Sequence, residues 1–461
     1  MRTAGVIRDR GHAWLEQLGG SRAIVLAIPL GVFILRLVMV WALPVSPLSP
    51  DCREYAYLSE RLDQEGRYGF REDWREDRVL CGSAWSYLYD GTGMVRPPGY
   101  PLLLAAVRRG MGVNTRDLQV LGAMAEALTA LLIYACGRIM FSAGTGMLAG
   151  IIYMGHPGMN YAMGWLGREP FLALAFSLGV FGVILAAHRD SIGPAVLAGL
   201  CFGVAGYLKE TLTVAGGLAG LWLLWVGWRA RSRLVWGAVL MLLVAALTWV
   251  PWLVRNARAC GTWTGMSNLG GTALWLGLVD PNWKTFDASD EVDWTAGLAE
   301  EQRTLLDPRL APTALEADKR LKAMVMKQAV ERPADMARAM GRNALIFWSP
   351  VSRTVIRAGS LFRRPLEFLS APYYLGIFAL FLAGLWVGRH RQEVWLAAFV
   401  LGGITALHAT CCAYPRYRFP FDGMVVILAA FALTTWIGKR ASCSADSAGG
   451  TGGSSGRSTD A

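Results

Sequence analysis

The chain has 461 residues, 54% of them hydrophobic and 17% charged, with 19 Trp and a net charge of +11. A soluble domain is nearer a quarter charged, so this composition excludes an ordinary soluble protein. Apolar runs of roughly 18 residues or more recur, each long enough to cross ~30 Å of hydrocarbon, and the cationic surplus therefore reads as membrane topology.

In chain order, about ten spanning helices are predicted, at 23–43, 117–137, 144–164, 169–187, 193–209, 212–228, 234–254, 367–387, 393–413 and 419–437. The first lacks a small-residue cleavage site and is read as a span, not a cleaved leader. The connections sort by charge. One side carries the arginines of segment 1–22, then Arg138, His188 and Arg189, "WRARSR" at 228–233, "RHR" at 389–391 and "GKR" at 438–440. Short basic connections belong in the cytoplasm, so both termini are expected inside a multi-pass cell (inner) membrane. The fold expected is an all-α polytopic protein. Segment 1–22 is inside, a membrane domain fills 23–438, and 439–461, rich in Gly and Ser, is a disordered cytoplasmic tail.

Two long segments, 44–116 and 255–366, are left on the periplasmic or exterior face. "YPLLLAAV" at 100–107 is too short to span before Arg108 and Arg109, and is predicted to lie in the outer interface. "APTALEADKRLKAMVMKQAVERP" has apolar residues at helical spacing up to Pro333, and a shorter helix, "ADMARAMGRNALIFW", follows it. The outer face is thus capped by interfacial helices.

With this topology, the ionisable residues gather at one interface. Asp51, Arg53 and Glu54 in "SPDCREYAYLSERL", Arg96 in "VRPPGYP", Glu169 in "GREPF", Lys209 and Glu210 in "YLKETL", Arg255 in "PWLVRN", and Arg416 and Arg418 in "YPRYRFP" all fall outside. The spans themselves are nearly free of charge apart from Arg36 and Glu126, each of which reads as a packing or pairing group. A transporter usually places its ionisable groups near the midplane. A cluster at one interface suits an enzyme that meets a polar group presented by a lipid. Arg and Lys would bind an anionic phosphate and a carboxylate would serve as general base. Each residue also has a plainer reading. Arg255, Arg416 and Arg418 fit interfacial anchors, Glu169 a carboxylate favoured by a helix dipole, and Asp51 an N-cap.

Other residues carry less. The eight Cys show no paired metal spacing, and the five His never approach an HExxH arrangement. Cys52 and Cys81 share one outer segment and read either as a disulfide or as two thiols. His156, Met163, Met324 and Met326 read as packing, and most Trp as interfacial belt. No basic face is interleaved with stacking aromatics, so nucleic acid is set aside as a partner.

Five stretches in order resemble a known family. "PDCREYAYLSERL", "VRPPGYPLLLA", "PWLVRNARACGTWTGMSNLGGTALWLG", "RNALIFWSP" and "RYRFPFDGMVVILAAFAL" are similar to glycosyltransferases of the C superfamily (GT-C) that use lipid-phosphate sugars. The likeness is strongest to the bacterial protein O-mannosyltransferase and aminoarabinose-transferase group. The resemblance implies catalytic groups on the outer face and a polyprenyl-phosphate-linked sugar as donor. It implies Asp51 as the base, Arg96 on the carrier phosphate, and Lys209 on that phosphate or the sugar, in an inverting displacement.

The chain also departs from the pattern. Val95 stands where aminoarabinose transferases carry an acidic metal-site residue, so no metal is predicted, although a divalent metal is left open. Glu54 occupies the place of an arginine in those relatives and resembles a second acidic residue orienting the acceptor, which makes Asp51 and Glu54 the catalytic candidates. Arg96, Lys209, Arg255, Arg416 and Arg418 are the donor-phosphate candidates, with Tyr55, Glu169 and Glu210 positioning acceptor or sugar. Partners expected are membrane lipids, the lipid-linked donor, and an acceptor lipid, glycan or protein. The competing classes are a lipid or glycan transporter (flippase) and a non-catalytic membrane scaffold.

Overall fold

The computed structural model describes residues 10–43, 50–71, 91–94, 96–111, 115–162, 167–279, 313–350 and 364–449. The described residues are helical and contain no strand. The elements run α1 (Arg10–Gly19), α2 (Arg22–Ala42), α3 (Pro50–Glu65), α4 (Gly99–Met111), α5 (Thr115–Met140), α6 (Ala143–Met154), α7 (Pro157–Ala162), α8 (Glu169–Arg189) and α9 (Ile192–Leu208). They continue with α10 (Thr211–Ala230), α11 (Leu234–Cys260), α12 (Gly270–Leu278), α13 (Ala314–Glu331), α14 (Pro333–Phe347), α15 (Arg364–Val387), α16 (Gln392–Thr410) and α17 (Asp422–Gly449). Two 3₁₀ turns, Pro415–Tyr417 and Phe419–Phe421, lead into α17.

Among the described residues, each of the ten predicted spans contains helix, and eight helices are long and apolar enough to cross a membrane. In α2 one face shows why. Leu26, Leu30, Ile34 and Val38 recur every fourth residue and are exposed, as lipid-facing side chains should be. Ile28, Val32, Arg36 and Val40 recur on the opposite, buried face. The predicted span 144–164 is a correction. Its helix α6 stops at Met154 after 12 residues, about 18 Å, well short of the hydrocarbon thickness. The break falls at Gly155–His156–Pro157, where Pro157 disfavours helix in the residue before it. α9, at 17 residues, falls just short of the length of a span.

A helix that ends inside a bundle leaves carbonyls without partners. Here Arg36 supplies them: its Nη1 donates to the Met154 carbonyl at 3.0 Å and its Nη2 to the Tyr153 carbonyl at 3.5 Å. The same Nη2 reaches Glu126 Oε2 at 3.5 Å, and the Tyr153 hydroxyl donates to that oxygen at 3.0 Å. Tyr373 donates to the Ile152 carbonyl at 2.9 Å. The two charges predicted inside spans are therefore partners, both fully buried.

α1 was not anticipated. It lies against α6, and its Glu16 carboxylate accepts from the amides of Ala143 and Gly144 at the start of that helix. On the other side of the bundle, α13 and α14 form where the sequence predicts them. Thr313 caps α13, and Arg332 precedes the Pro333 that opens α14. α12 and α13 enclose a small core of their own with Leu58 and Phe70. α4 is helical as predicted and packs on α3. The predicted tail needs a second correction, because α17 continues as a helix through 439–449. Cys81, Met163, Val95 and the remainder of the tail, 450–461, lie outside the described residues. So does most of the inner part of both long outer segments.

Arg36→Met leaves the Glu126 carboxylate and the α6 carbonyls unpaired in an apolar bundle. It is expected to lower stability by about 3 kcal/mol, read as a fall in thermal unfolding temperature in detergent. Adding Glu126→Leu should recover part of the loss, and strictly additive losses would show that the two residues are not coupled.

Candidate active site

Three residues of "PDCREY" set up the site. Asp51, Glu54 and Tyr55 stand at i, i+3 and i+4 in the first turns of α3 and so share one face. The N-terminal position also favours the Asp51 charge through the helix dipole. "RPPGYP" then brings up its partner. Arg96 sits in the turn before α4, and its Nη2 donates to Asp51 Oδ1 at 2.6 Å while its Nε pairs with Glu54. A Cβ on Gly99 would lie 2.6 Å from the backbone of Tyr207, so only glycine allows α4 to meet the end of α9. Tyr100 is buried edge-on against Tyr55, and its hydroxyl donates to the Gly167 carbonyl at 3.2 Å. The short motif thus ties α3, the turn before α8 and the end of α9 together.

The fourth contributor comes from the other end of the chain. Arg416, in the 3₁₀ turn, donates through Nη2 to Asp51 Oδ2 at 2.9 Å and lies over Tyr414 and Tyr417. Each Asp51 oxygen therefore accepts from a different guanidinium. Burial pushes the Asp51 carboxyl up, but the charges of Arg96, Arg416 and Arg168 outweigh it and hold the group well below the usual carboxylate range.

A cavity of about 20 Å³ opens beside this cluster, lined in part by Asp51, Tyr55, Arg168, Glu169, Lys209 and Arg416. Lys209 follows α9, and its Nζ lies 3.8 Å from the Tyr417 ring centroid. Burial, with Arg168 and Arg416 nearby, holds its ammonium pKa well below the ordinary lysine value. The Tyr55 hydroxyl is buried without a hydrogen-bond partner among the described residues, and burial pushes its pKa up to about 12. It is a donor facing a polar pocket with nothing to donate to.

Of the residues predicted from sequence, Asp51, Tyr55, Glu169, Lys209 and Arg416 line this pocket, and Arg96 stands directly behind Asp51. Four do not. Glu54 is buried against Arg96 and fixes that guanidinium, so it holds a partner in place and is not a lining carboxylate. Arg255 donates to the carbonyls of Thr92 and Tyr68 at 2.5 and 2.7 Å and packs over Trp252, which makes it a brace for the outer loop. Arg418 is turned inward onto Asp422 and the Phe347 carbonyl at 2.8 and 3.1 Å. Glu210 opens α10 outside the pocket lining, and its carboxyl is raised by burial, partly offset by a hydrogen bond from Ser267.

The lining also includes Arg168 and Tyr417, which the sequence reading does not single out. Arg168 donates to the Leu208 carbonyl at 3.0 Å and stacks over Tyr55, and Tyr417 carries Lys209. The signal for Arg168 was present, since it adjoins Glu169 in "GREPF". His156 was read as packing, yet its Nε2 meets Asp422 Oδ2 at 2.9 Å and its Nδ1 accepts from the Met159 amide at 3.1 Å. With Arg418 this pair borders a second cavity of about 40 Å³ between α15 and α17. Among the described residues no group of three His, Cys, Asp or Glu is placed to hold a metal ion.

Comparison with known proteins agrees with this architecture. Residues 95–253 match the family described as dolichyl-phosphate-mannose-protein mannosyltransferase. No curated protein sequence matches the chain. Among solved structures, the archaeal oligosaccharyltransferase AglB of Archaeoglobus fulgidus, in complex with an inhibitory peptide and a dolichol-phosphate, superposes with a TM-score of 0.53 at 13% identity, over 94% of this chain and 52% of that one. The same enzyme tethered to an acceptor peptide gives 0.55 at 12% identity, over 91% and 50%. ArnT from Cupriavidus metallidurans bound to undecaprenyl phosphate gives 0.39 at 17% identity, over 90% and 77%. The chain spans about half the length of the oligosaccharyltransferases it matches. The chain shares the polytopic helical fold of the Archaeoglobus fulgidus oligosaccharyltransferase and is similar, over residues 95–253, to the dolichyl-phosphate-mannose-protein mannosyltransferases.

Proposed function

We propose that this protein is an inverting glycosyltransferase that moves one sugar from a polyprenyl-phosphate carrier to an acceptor on the external face of the membrane. The observation that carries the reading is the Asp51 carboxylate held between Arg96 and Arg416, beside Arg168 and Lys209, at one end of the helix bundle. The opposite end bears Arg138, His188, Arg189 and the arginines after α10 and α15, the cationic side that belongs in the cytoplasm.

The chemistry follows from the residue types. An acceptor hydroxyl or amine forms a bond to the anomeric carbon as the bond from that carbon to the phosphate oxygen breaks. The electron pair leaves with polyprenyl phosphate, and the acceptor proton passes to Asp51. One displacement inverts the anomeric centre and needs no second, nucleophilic carboxylate. Arg416, Arg168 and Lys209 stabilise the departing phosphate charge, with Arg96 reaching it past Asp51. Glu169 and the unpartnered Tyr55 hydroxyl remain for the hydroxyls of sugar or acceptor. The transporter reading finds no support in Arg36 and Glu126, which are fully buried against each other.

Lys209 gives the donor affinity a pH dependence. Its free ammonium is held below the ordinary lysine range, and a bound phosphodiester restores it, so binding takes up a proton. Affinity for a polyprenyl-phosphate sugar is expected to be highest at low pH. It should fall as pH rises through the lowered free value towards the lysine range, whereas Lys209→Arg should flatten the profile. A wild-type affinity independent of pH would remove Lys209 from the phosphate.

The function itself is tested by mass spectrometry of lipids, glycans and secreted proteins from a deletion strain complemented with wild-type protein or Asp51→Asn. A single-sugar mass difference is expected to return with the wild type only, with turnover of the variant lower by roughly 10²–10⁴-fold. Full restoration by Asp51→Asn would remove Asp51 as base, and no glycan difference at all would contradict transfer.

A further inference from the structure

A general base must be ready to take up a proton, and a carboxylate whose charge is paired by two guanidiniums is a poor one as it stands. Both of its oxygens accept charge-assisted hydrogen bonds, from Arg96 at 2.6 Å and Arg416 at 2.9 Å. Of these two guanidiniums, Arg416 also lines the adjoining cavity and Arg96 stands directly behind Asp51. The adjoining cavity, about 20 Å³, has room for about one water. A phosphate group with its sugar cannot enter beside the Asp51 clamp while that clamp stays closed.

The surroundings show what can move. Glu54 holds Arg96 through Nε, next to the Nη2 that meets Asp51, so Nη2 can change partner while Nε stays anchored. Arg416 lies over the rings of Tyr414 and Tyr417, 5.6 and 5.4 Å from their centroids. Arg168 is tethered to the Leu208 carbonyl and Lys209 sits over Tyr417, so both already face the cavity.

We propose that Asp51 is an internal stand-in for the donor phosphate: the incoming phosphate takes Arg96 Nη2 and Arg416 Nη2 from Asp51, and only then is the carboxylate free to accept the acceptor's proton. This inference rests on the polyprenyl-phosphate reading of the site and adds a sequence of events to it. Donor binds first and unmasks the base. Without donor, Asp51 is neutralised by its arginines and the site is idle.

The exchange makes a prediction opposite to that for an ordinary binding residue. Binding of polyprenyl phosphate to the full-length protein in lipid nanodiscs is measured for wild type, Asp51→Asn, Asp51→Ser, Glu54→Gln and Arg416→Ala. Serine is a second small polar replacement in the first turn of α3, so one of the two Asp51 variants can be read if the other does not fold. Loss of the competing carboxylate is expected to tighten binding about tenfold, although the variant cannot catalyse. Glu54→Gln removes an equally close negative charge but leaves Arg96 without its anchor, and should bind no tighter than wild type. Arg416→Ala should bind more weakly. Unchanged or weaker binding by the folded Asp51 variants overturns the exchange, as does equal tightening by Glu54→Gln, which would mark a general field effect. A wild-type protein that does not bind polyprenyl phosphate at all is a separate result, and it sinks the transferase reading itself.

Discussion

One carboxylate joins the two ends of this chain. Asp51 and Arg416 lie 365 residues apart in sequence and meet at 2.9 Å, with Arg96 closing the other oxygen. Such a triad is costly to assemble away from bulk water unless every charge finds a partner. Here the compensation is local: Glu54 balances Arg96, tyrosine rings support Arg416 and Lys209, the Leu208 carbonyl at the end of α9 takes a spare donor of Arg168, and the Tyr68 carbonyl takes one of Arg255. The functional cluster is consequently also the joint that fixes α3, α4, α8, α9 and α17 relative to one another at one end of the bundle.

The joint depends on helices that end where they do. α6 stops early, and the following turn and α7 bring His156 to Asp422, whose other oxygen holds Arg418. Arg418 in turn fastens the 3₁₀ turn that presents Arg416. Deeper in the bundle, Arg36 supplies the carbonyls left bare by the same early stop. Two buried polar clusters thus serve one purpose, stabilising a broken segment whose outer end supports the pocket. Their polar groups are engaged with each other and with backbone.

Much of this was legible in the sequence because the membrane makes polarity conspicuous. Asp51, Arg96, Lys209 and Arg416 stand out as charges abutting apolar runs, and the charge of the connections puts them all on one side. Direction was not legible. Arg416 and Arg418 are two residues apart, about 240° around a 3₁₀ turn, so one reaches the pocket and the other turns into the bundle. Arg255 and Glu54 look like site residues by position but do not line the pocket, because composition does not reveal which carbonyl or guanidinium lies opposite. Arg168 was hidden by its neighbour Glu169, whose place at a helix start already had a sufficient explanation. The break in α6 escaped because hydropathy averages over Gly155–His156–Pro157 without registering the lost helix geometry.

The most direct test of the account is an experimental structure with polyprenyl phosphate bound. The account predicts phosphate oxygens within hydrogen-bonding distance of Arg96 and Arg416, with Asp51 released from at least one of them and Glu54 still on Arg96. A phosphate bound elsewhere, with both arginines still closed on Asp51, would contradict it.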